Sequence, residues 1–557
     1  MTRYAHRART TSATIALLAC GCIVLSDTRA ETTAGSGNAT DKEDRWIVWP
    51  AAAEPGSTEA QAAADESETV PPVEETAVFN AAPPPPVEET VVDEIAKPPA
   101  RIASTDYTKD DLFRSDPMYG SDYDYQEQVQ IYGGKRAVEP PRPPIELGRQ
   151  QYTSGAYDES STLLGRKNPL LPGLAIYGDW RTAVAYNQNN GSEIAQVATR
   201  LNVDVDFKIT ATERMHAFFT PLQRNNEFTR FEFAGDDADD EFSGEFDPEP
   251  QTLFFEGDLG AIYSGVSDRD VGFDLPFVVG LYPLFLQNGI WANDAILGGA
   301  LTIPARNSAA LNLANFDITF FAGFDDVDNA GIIGDDDDDA NVYGVTAFID
   351  AFKGYVEAGY GLLQGHDDQD GLLTHFVTGA YTRRYLNTIS NSTRVFANFG
   401  DDPVGDSDGL AIISENSLIT GLPSTLLPYA NFFIGFGNPQ PLVDGFNAGI
   451  LKNVGINFET DALTGYPKLD DSGSNAWGGA IGVQYLFDLD QQLVFEVAMV
   501  QPFKDDGIGA EDGQYGFGVR YQLPLDRAWL FRADATYQIL EEEEDNFGIR
   551  GEIRRKF

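Results

Sequence analysis

The feature that most constrains this chain is a strict alternation of apolar and polar side chains. In residues 195–209, AQVATRLNVDVDFKI, every odd position is Ala, Val, Thr, Leu, Phe or Ile, while the even positions include Gln, Arg, Asn, Asp and Lys. Successive side chains of a strand point to opposite faces, so this run predicts a strand with one apolar and one charged face. The same alternation recurs at 316–324, 477–487, 493–499, 515–521, 529–539 and 547–557. The chain is therefore predicted to be all-β.

The length of the runs separates a soluble sandwich from a membrane barrel. Many runs extend over about 10 to 15 residues, whereas strands of soluble proteins cluster near five or six. Aromatic residues stand at run ends, as Trp477, Phe487 and Trp529 do, which is typical of the girdles at two membrane interfaces. The sequence predicts a transmembrane antiparallel up-and-down β-barrel of about 18 strands, with 16 as the alternative, because 282–303 and 409–458 are irregular.

The connections between runs fall into two groups. Short ones lie at 210–213, 351–353, 488–491 and 524–527, and long acidic ones lie at 235–250, 325–339, 366–371, 401–408, 504–512 and 541–545. Counting strands from a periplasmic start places every acidic run on the same side. Because outer-membrane barrels have short periplasmic turns and longer outer loops, the acidic runs are expected to be extracellular.

The N-terminal third has a different composition. Residues 1–30 are typical of a signal peptide, with basic residues before the apolar stretch 13–25, and the alternative is lipoprotein processing at Cys20. Residues 31–105, which repeat PPVEET, predict a disordered Pro/Glu/Ala-rich linker. Residues 106–170 are expected to be a poorly structured periplasmic lead-in, and 171–557 to be the barrel. Cleavage after Ala30 would remove both cysteines, Cys20 and Cys22, so neither a disulfide nor a cysteine zinc site is expected.

These features resemble the Gram-negative outer-membrane porin class over about 170–557. The resemblance implies localisation in the outer membrane and contact with its lipid. It also implies that Phe557 is the tag recognised by the barrel-assembly machinery, and it allows a homotrimer. Arg555 departs from the pattern, since an outward apolar residue is usual there. The segments YGDWRTAVAY and DFKITATERMHAFFTPL are similar to barrels of the alginate-export type.

The inward faces of the strands supply the candidate lumen residues. An ionised side chain on the polar face of a barrel strand points into the wet interior. The predicted lumen-lining residues are Asp179, Arg181, Arg200, Asp204, Asp206, Lys208, Glu357, Arg383, Glu496, Arg532, Asp534, Arg550, Glu552 and Arg554. They are expected either to form salt bridges lining the wall or to set a transverse field that selects solutes by charge. Segments 282–294 and 422–442 are candidates for a loop folded into the lumen.

Other site types have weaker support. Asp368 and Asp370 half resemble the start of a calcium loop, but His366 and Val377 stand where two ligands belong, so divalent cations at the acidic loops are a minor hypothesis and no other cofactor is expected. The net charge of -49 argues against nucleic acid. No GxSxG setting accompanies a serine, and an enzyme is not expected.

The sequence therefore predicts a porin-like channel for passive diffusion of small hydrophilic solutes, with acidic extracellular loops that raise the local cation concentration. One alternative is a conduit that exports an anionic polysaccharide, which would need a lumen dominated by Arg and Lys. Another is a surface adhesin or membrane enzyme on a sealed barrel, which would show no conductance.

Overall fold

A computed structural model describes residues 143–148, 161–224, 227–235, 242–308, 313–332, 339–369, 371–401, 408–421, 425–445, 449–487, 491–504, 507–526 and 528–557. The predicted signal peptide, the linker at 31–105 and most of the lead-in lie outside these residues. No helix within the described residues has the length and apolar character needed to cross a membrane.

The described residues contain 23 strands. The first half consists of β1 (Ile145–Gly148), β2 (Gly173–Asn189), β3 (Ser192–Lys208), β4 (Arg214–Phe219), β5 (Gln223–Arg224), β6 (Glu227–Ala234), β7 (Phe242–Ser243), β8 (Pro250–Asp258), β9 (Pro276–Leu286), β10 (Ala292–Ser308), β11 (Leu313–Asp325) and β12 (Ala340–Ala351). The second half consists of β13 (Gly354–Gly365), β14 (Leu373–Tyr385), β15 (Ile389–Asp401), β16 (Gly409–Leu418), β17 (Leu426–Gly437), β18 (Val443–Asp444), β19 (Ala476–Leu486), β20 (Gln492–Pro502), β21 (Gln514–Pro524), β22 (Trp529–Leu540) and β23 (Asn546–Lys556). Helix α1 spans Leu259–Ser267, and 3-10 turns span Asp367–Gln369 and Ile456–Phe458.

Eighteen of these strands close into one antiparallel barrel, and the predicted strand number is confirmed. They are β2, β3, β4, β8 to β17 and β19 to β23. The last strand returns to the first, with β23 paired to β2 from Gln188 opposite Phe547 to Asp179 opposite Lys556. β6 continues the line of β4, because β4 pairs with one half of β3 and β6 with the other. Closure gives each of these eighteen described strands a partner on both sides, as hydrocarbon requires.

The alternation in the sequence becomes an apolar exterior and a polar interior. On β3 the even residues Arg200, Asp204 and Asp206 are buried inside the barrel, while Phe207 is exposed on the outside. Elsewhere Ile481 is 61% exposed on the outer face, although it is apolar. A closed barrel that is apolar outside and charged inside fits hydrocarbon rather than water, and strands such as β19 and β20, each of 11 residues, have the length of a tilted membrane crossing. The chain is a transmembrane barrel of the outer-membrane kind, as its resemblance implied.

Strand directions divide the connections between two ends of the barrel. The chain ends where β23 ends, and Phe557 continues the pairing there by exchanging two backbone hydrogen bonds of 2.9 Å with Gly178. The acidic runs follow strands that all run away from this end, among them β11, β13 and β22. The short connections follow strands of the opposite direction. Arg555 stands where an outward apolar residue is usual. Its guanidinium lies 5.3 Å from the centroid of the Trp529 ring, so it has an aromatic partner at this position.

The interior is narrowed by the described residues 438–445 and 449–475, here called the plug. It lies between β17 and β19 in the chain, and its apolar residues Leu442, Ile450 and Phe458 are fully buried against the barrel wall. β18, within the plug, pairs in parallel with the start of β10. Of the two segments predicted as candidates for an inward loop, only 438–442 lies in the plug, because 426–437 is β17 and 282–294 is mostly β9 and β10.

The described parts of the lead-in pack against the barrel end where the chain terminates. β1 pairs with the start of β2, and Ser161 bridges to Leu170. Arg166 and Lys167 form ion pairs of 2.5 and 2.9 Å with Asp268 and Asp270, just beyond α1. The hydrogen bond from Arg166 lowers the pKa of Asp268. The partners of Arg166 and Lys167 thus lie 102 and 103 residues later in the chain.

Candidate solute path inside the barrel

One side of the lumen carries a continuous set of paired charges on five neighbouring strands. The strands are β21, β22, β23, β2 and β3, and we call their inward face the charged wall. Near the end of β23, Asp179 Oδ2 accepts a hydrogen bond from Arg181 Nε at 2.8 Å and lies 2.9 Å from Arg554 Nε. Asn202 Nδ2 donates to the other oxygen of Asp179 at 3.1 Å. These groups are buried, so they hold one another in place rather than facing open water.

Nearer the plug, the charged wall is organised around Asp534. Its carboxylate lies 2.8 Å from Arg520 Nε, 2.7 Å from Arg532 Nε and 2.8 Å from Arg550 Nη2. All four side chains are 5% exposed or less. A carboxylate has about four acceptor positions, so one aspartate can orient three guanidinium groups.

The plug meets the charged wall through its own carboxylates. Glu459 accepts from Arg520 Nη2 at 2.5 Å, and Asp461 lies 2.5 Å from Arg550 Nη1. The Tyr466 ring centroid is 5.3 Å from the Arg550 guanidinium carbon. Burial raises the pKa of Glu459, although the charge of Arg520 opposes that shift, and burial likewise raises the pKa of Tyr466. Acidic groups of the plug are thus in direct contact with basic groups of the charged wall.

Two cavities lie along this contact. The larger, of about 510 Å³, opens between the plug and the ends of β2, β21, β22 and β23, and its lining includes Asp461, Tyr466, Lys468, Asp470 and Glu543. The smaller, of about 20 Å³, includes Tyr429, Gln484, Gln492 and Arg520. The ion pairs that run from Asp461 through Arg550 and Asp534 to Arg520 connect the linings of the two cavities. Burial raises the pKa of Asp470 in the larger cavity.

The opposite side of the barrel holds a smaller charged group. Arg394 on β15 pairs with Glu415 on β16, and Glu357 on β13 is close enough to interact with the charge of Arg394. Arg383 departs from its predicted position. It shares the outward face of β14 with Leu373 and Val377, and its guanidinium lies 5.2 Å from the Tyr385 ring centroid. Arg384, its neighbour, has the inward parity.

The other predicted lumen residues fall into three groups. The first lies together on the charged wall and consists of Asp179, Arg181, Arg200, Asp204, Asp206, Arg532, Asp534, Arg550, Glu552 and Arg554. The second group lies away from the centre of the charged wall. It consists of Lys208, the last residue of β3, and Glu357, which lies on β13 on the opposite side of the barrel. Glu496, on β20, contacts the plug instead of the charged wall.

Three residues at the plug contact were not predicted. Arg520 stands between Val519 and Tyr521, which are apolar and outward, so the same alternation would have identified it. Glu459 and Asp461 had no such signal, because the plug has no regular period.

The metal prediction falls mostly outside the described part of the chain. Asp370 lies outside it, and the side chain of Asp368 is not described either. Among the described residues, ligand atoms of Asp339, His366 and Asp367 lie within 4.8 Å of one another. Exposed acidic groups of this kind are common without an ion, and no role is assigned to this group.

No protein-family model matches the chain. No curated protein sequence matches it either. Among solved structures, it is similar to Pseudomonas aeruginosa OccK2 (OpdF) in complex with glucuronate, at TM-score 0.46 and 10% identity over 69% of this chain and 98% of that one. It is also similar to Pseudomonas aeruginosa OpdK with vanillate, at TM-score 0.45 and 9% identity over 69% and 98%. Acinetobacter baumannii OccAB4 gives TM-score 0.43 and 11% identity over 69% and 97%. At this level of similarity, no residue of this chain takes a role from these proteins.

Proposed function

We propose that this barrel is an outer-membrane channel for passive diffusion of small hydrophilic solutes, and that its path runs between the plug and the charged wall. The observation that carries the proposal is the line of ion pairs that connects the linings of the two cavities. Part of the remaining plug contact is an apolar core, which includes Leu442, Ile450 and Phe458 and offers no route to a polar solute. On the side of the charged wall, by contrast, carboxylates and guanidinium groups line the contact between plug and barrel.

The electrostatics favour solutes that can exchange with the plug carboxylates. Glu459 and Asp461 occupy positions next to Arg520 and Arg550 that a solute carboxylate could take in turn. At the mouth, the larger cavity carries Asp470, Asp471 and Glu543 against Lys468. A cationic group is therefore attracted first and an anionic group is favoured deeper in the path. We expect small zwitterions or small carboxylates to pass best.

Two alternatives have less support. An anionic polysaccharide conduit needs a lumen dominated by Arg and Lys, but each arginine cluster of the charged wall contains carboxylates such as Asp179 and Asp534. A sealed barrel that acts as an adhesin or enzyme predicts no ion current. Recognition of Phe557 by the assembly machinery and the homotrimer remain predictions.

The test is the current through the refolded full chain in planar bilayers. We expect stepwise currents in 1 M KCl. With a KCl gradient across the bilayer, the reversal potential should indicate a stronger preference for anions in Asp461→Asn and a stronger preference for cations in Arg550→Gln than in the wild type. Glu542→Gln is the matched control, because at 1 M salt an exposed rim charge is screened beyond about 3 Å and its loss should change nothing. Absence of steps in the wild-type protein, or equal reversal potentials in the two path variants, would contradict the proposal.

A further inference from the structure

We propose that Glu496 is a positioning residue that holds the plug across the lumen, although its position on an inward strand face is that of a solute-facing charge. Glu496 lies on β20, is 3% exposed and accepts four hydrogen bonds. Three come from the plug: the backbone N–H groups of Ile456 and Asn457, each at 2.9 Å, and Asn457 Nδ2 at 2.8 Å. The fourth comes from Tyr429 Oη on β17 at 2.5 Å.

The ionised carboxylate is the group that this arrangement requires. A carboxylate is acceptor-only and has about four lone-pair positions, and four donors converge on this one. Hydrogen bonds to an ionised acceptor are about twice as strong as neutral ones, and here they hold plug backbone rather than solute. A glutamine of the same size would turn an amino group towards N–H donors, because only one of its two terminal atoms accepts.

The backbone beside Glu496 is shaped for this contact. A Cβ on Gly455 would overlap both carboxylate oxygens of Glu496, so a side chain there would displace either the carboxylate or the turn that it holds. Gly455 has a φ of -172°, which any residue adopts, so the requirement is for space and not for an unusual backbone conformation. Nearby strands hold the same turn, since Asn431 Nδ2 donates to Val454 O at 2.6 Å and Thr536 Oγ1 donates to Asn457 Oδ1 at 3.0 Å.

The position of this turn sets the position of the path. Glu459 follows the turn Ile456–Phe458 directly, and Glu459 is the plug group that faces Arg520. Loss of the contacts to Glu496 would let the turn move and would misplace Glu459 without altering any charge of the charged wall. The inference deepens the proposed function and rests on it only for its electrical readout.

The first measurement does not depend on conductance. Lys452 in the plug is 1% exposed, so trypsin should cut after it only when the plug leaves its place. In the refolded full chain, Glu496→Gln should speed this cleavage about 10- to 100-fold, as expected when charge-assisted hydrogen bonds are lost and donors are left unpaired. Tyr429→Phe removes one donor of four and should speed it only about 2- to 10-fold. Glu256→Gln on β8, a carboxylate remote from the plug, should leave it unchanged.

The second measurement is electrical. Single-channel recordings of Glu496→Gln should show larger current fluctuations and weaker ion selectivity than the wild type. Unchanged cleavage in Glu496→Gln would overturn the inference, and if that variant does not fold, unchanged cleavage in Tyr429→Phe would do so. Faster cleavage in a protein that passes no current would support the role of Glu496 while refuting the channel.

Discussion

Removal of one charge from the centre of the charged wall should cost several kilocalories of stability. Asp534 contacts the guanidinium groups of Arg520, Arg532 and Arg550 at 2.7 to 2.8 Å, and none of the four side chains is more than 5% exposed. Asp534→Asn keeps the shape of the side chain but leaves the buried arginines without their shared anion. Loss of one partner of a buried ion pair costs about 3–5 kcal/mol, and because an amide oxygen still accepts, we expect about 3 kcal/mol here.

The assay is reversible unfolding of the refolded chain in lipid vesicles by guanidinium chloride, followed by tryptophan fluorescence. The free energy of unfolding is compared between Asp534→Asn and the exposed control Glu542→Gln, which should lie within about 0.5 kcal/mol of the wild type. A similarly small change for Asp534→Asn would refute the reasoning. It would mean that water and counter-ions solvate the three arginines, and that they do not form a closed network.

Further predictions concern pH, the chain end and the outer face. Burial raises the pKa of Asp470, so the folded chain binds a proton at this carboxyl more tightly than the unfolded chain does. The resulting stabilisation is complete below the ordinary pKa of an aspartate and is lost as the pH rises through the raised pKa of the folded chain. The unfolding midpoint should fall and cation preference should rise over that window, and Asp470→Asn should abolish both changes in a titration from about pH 3 to pH 7. Deletion of Phe557 removes two hydrogen bonds to Gly178 and should lower the free energy of unfolding by about 1–3 kcal/mol. If the assembly machinery recognises this residue, the fraction of folded barrel in cells should fall much further than this loss of stability explains. Ile481→Arg, on the outer face, should cost about 2–4 kcal/mol in lipid vesicles, and a cost near zero would place that face in water.

Much of the barrel could be predicted because its information is local. The alternation in 195–209 fixes which residues of β3 face inward, since a shift by one residue would expose every charge to lipid. The number of such runs predicted about 18 strands and left 16 open, because 282–303 and 409–458 are irregular, and the barrel has 18. The same rule identified ten residues of the charged wall, and it would also have identified Arg520.

The errors occurred where local pattern carries no information. Arg383 and Arg384 are adjacent near the end of β14, where both faces are polar, and only the distant Leu373 and Val377 fix which arginine points outward. The plug has no period, and its place is determined by partners far along the chain, such as Glu496 for Ile456 and Trp291 O for the backbone N–H of Leu442. Glu459 and Asp461 could therefore not be found before the wall that they contact was known.

The central claim is that ions pass between the plug and the charged wall. Gln514 lines the larger cavity on β21, so a Gln514→Cys variant in a background with Cys20 and Cys22 changed to serine would carry a single thiol on this path. Reaction with a bulky charged thiol reagent during a planar-bilayer recording is predicted to reduce the current by more than half, while the thiol-free parent stays unaffected. An unchanged current after complete labelling would place the conducting path elsewhere and contradict the account.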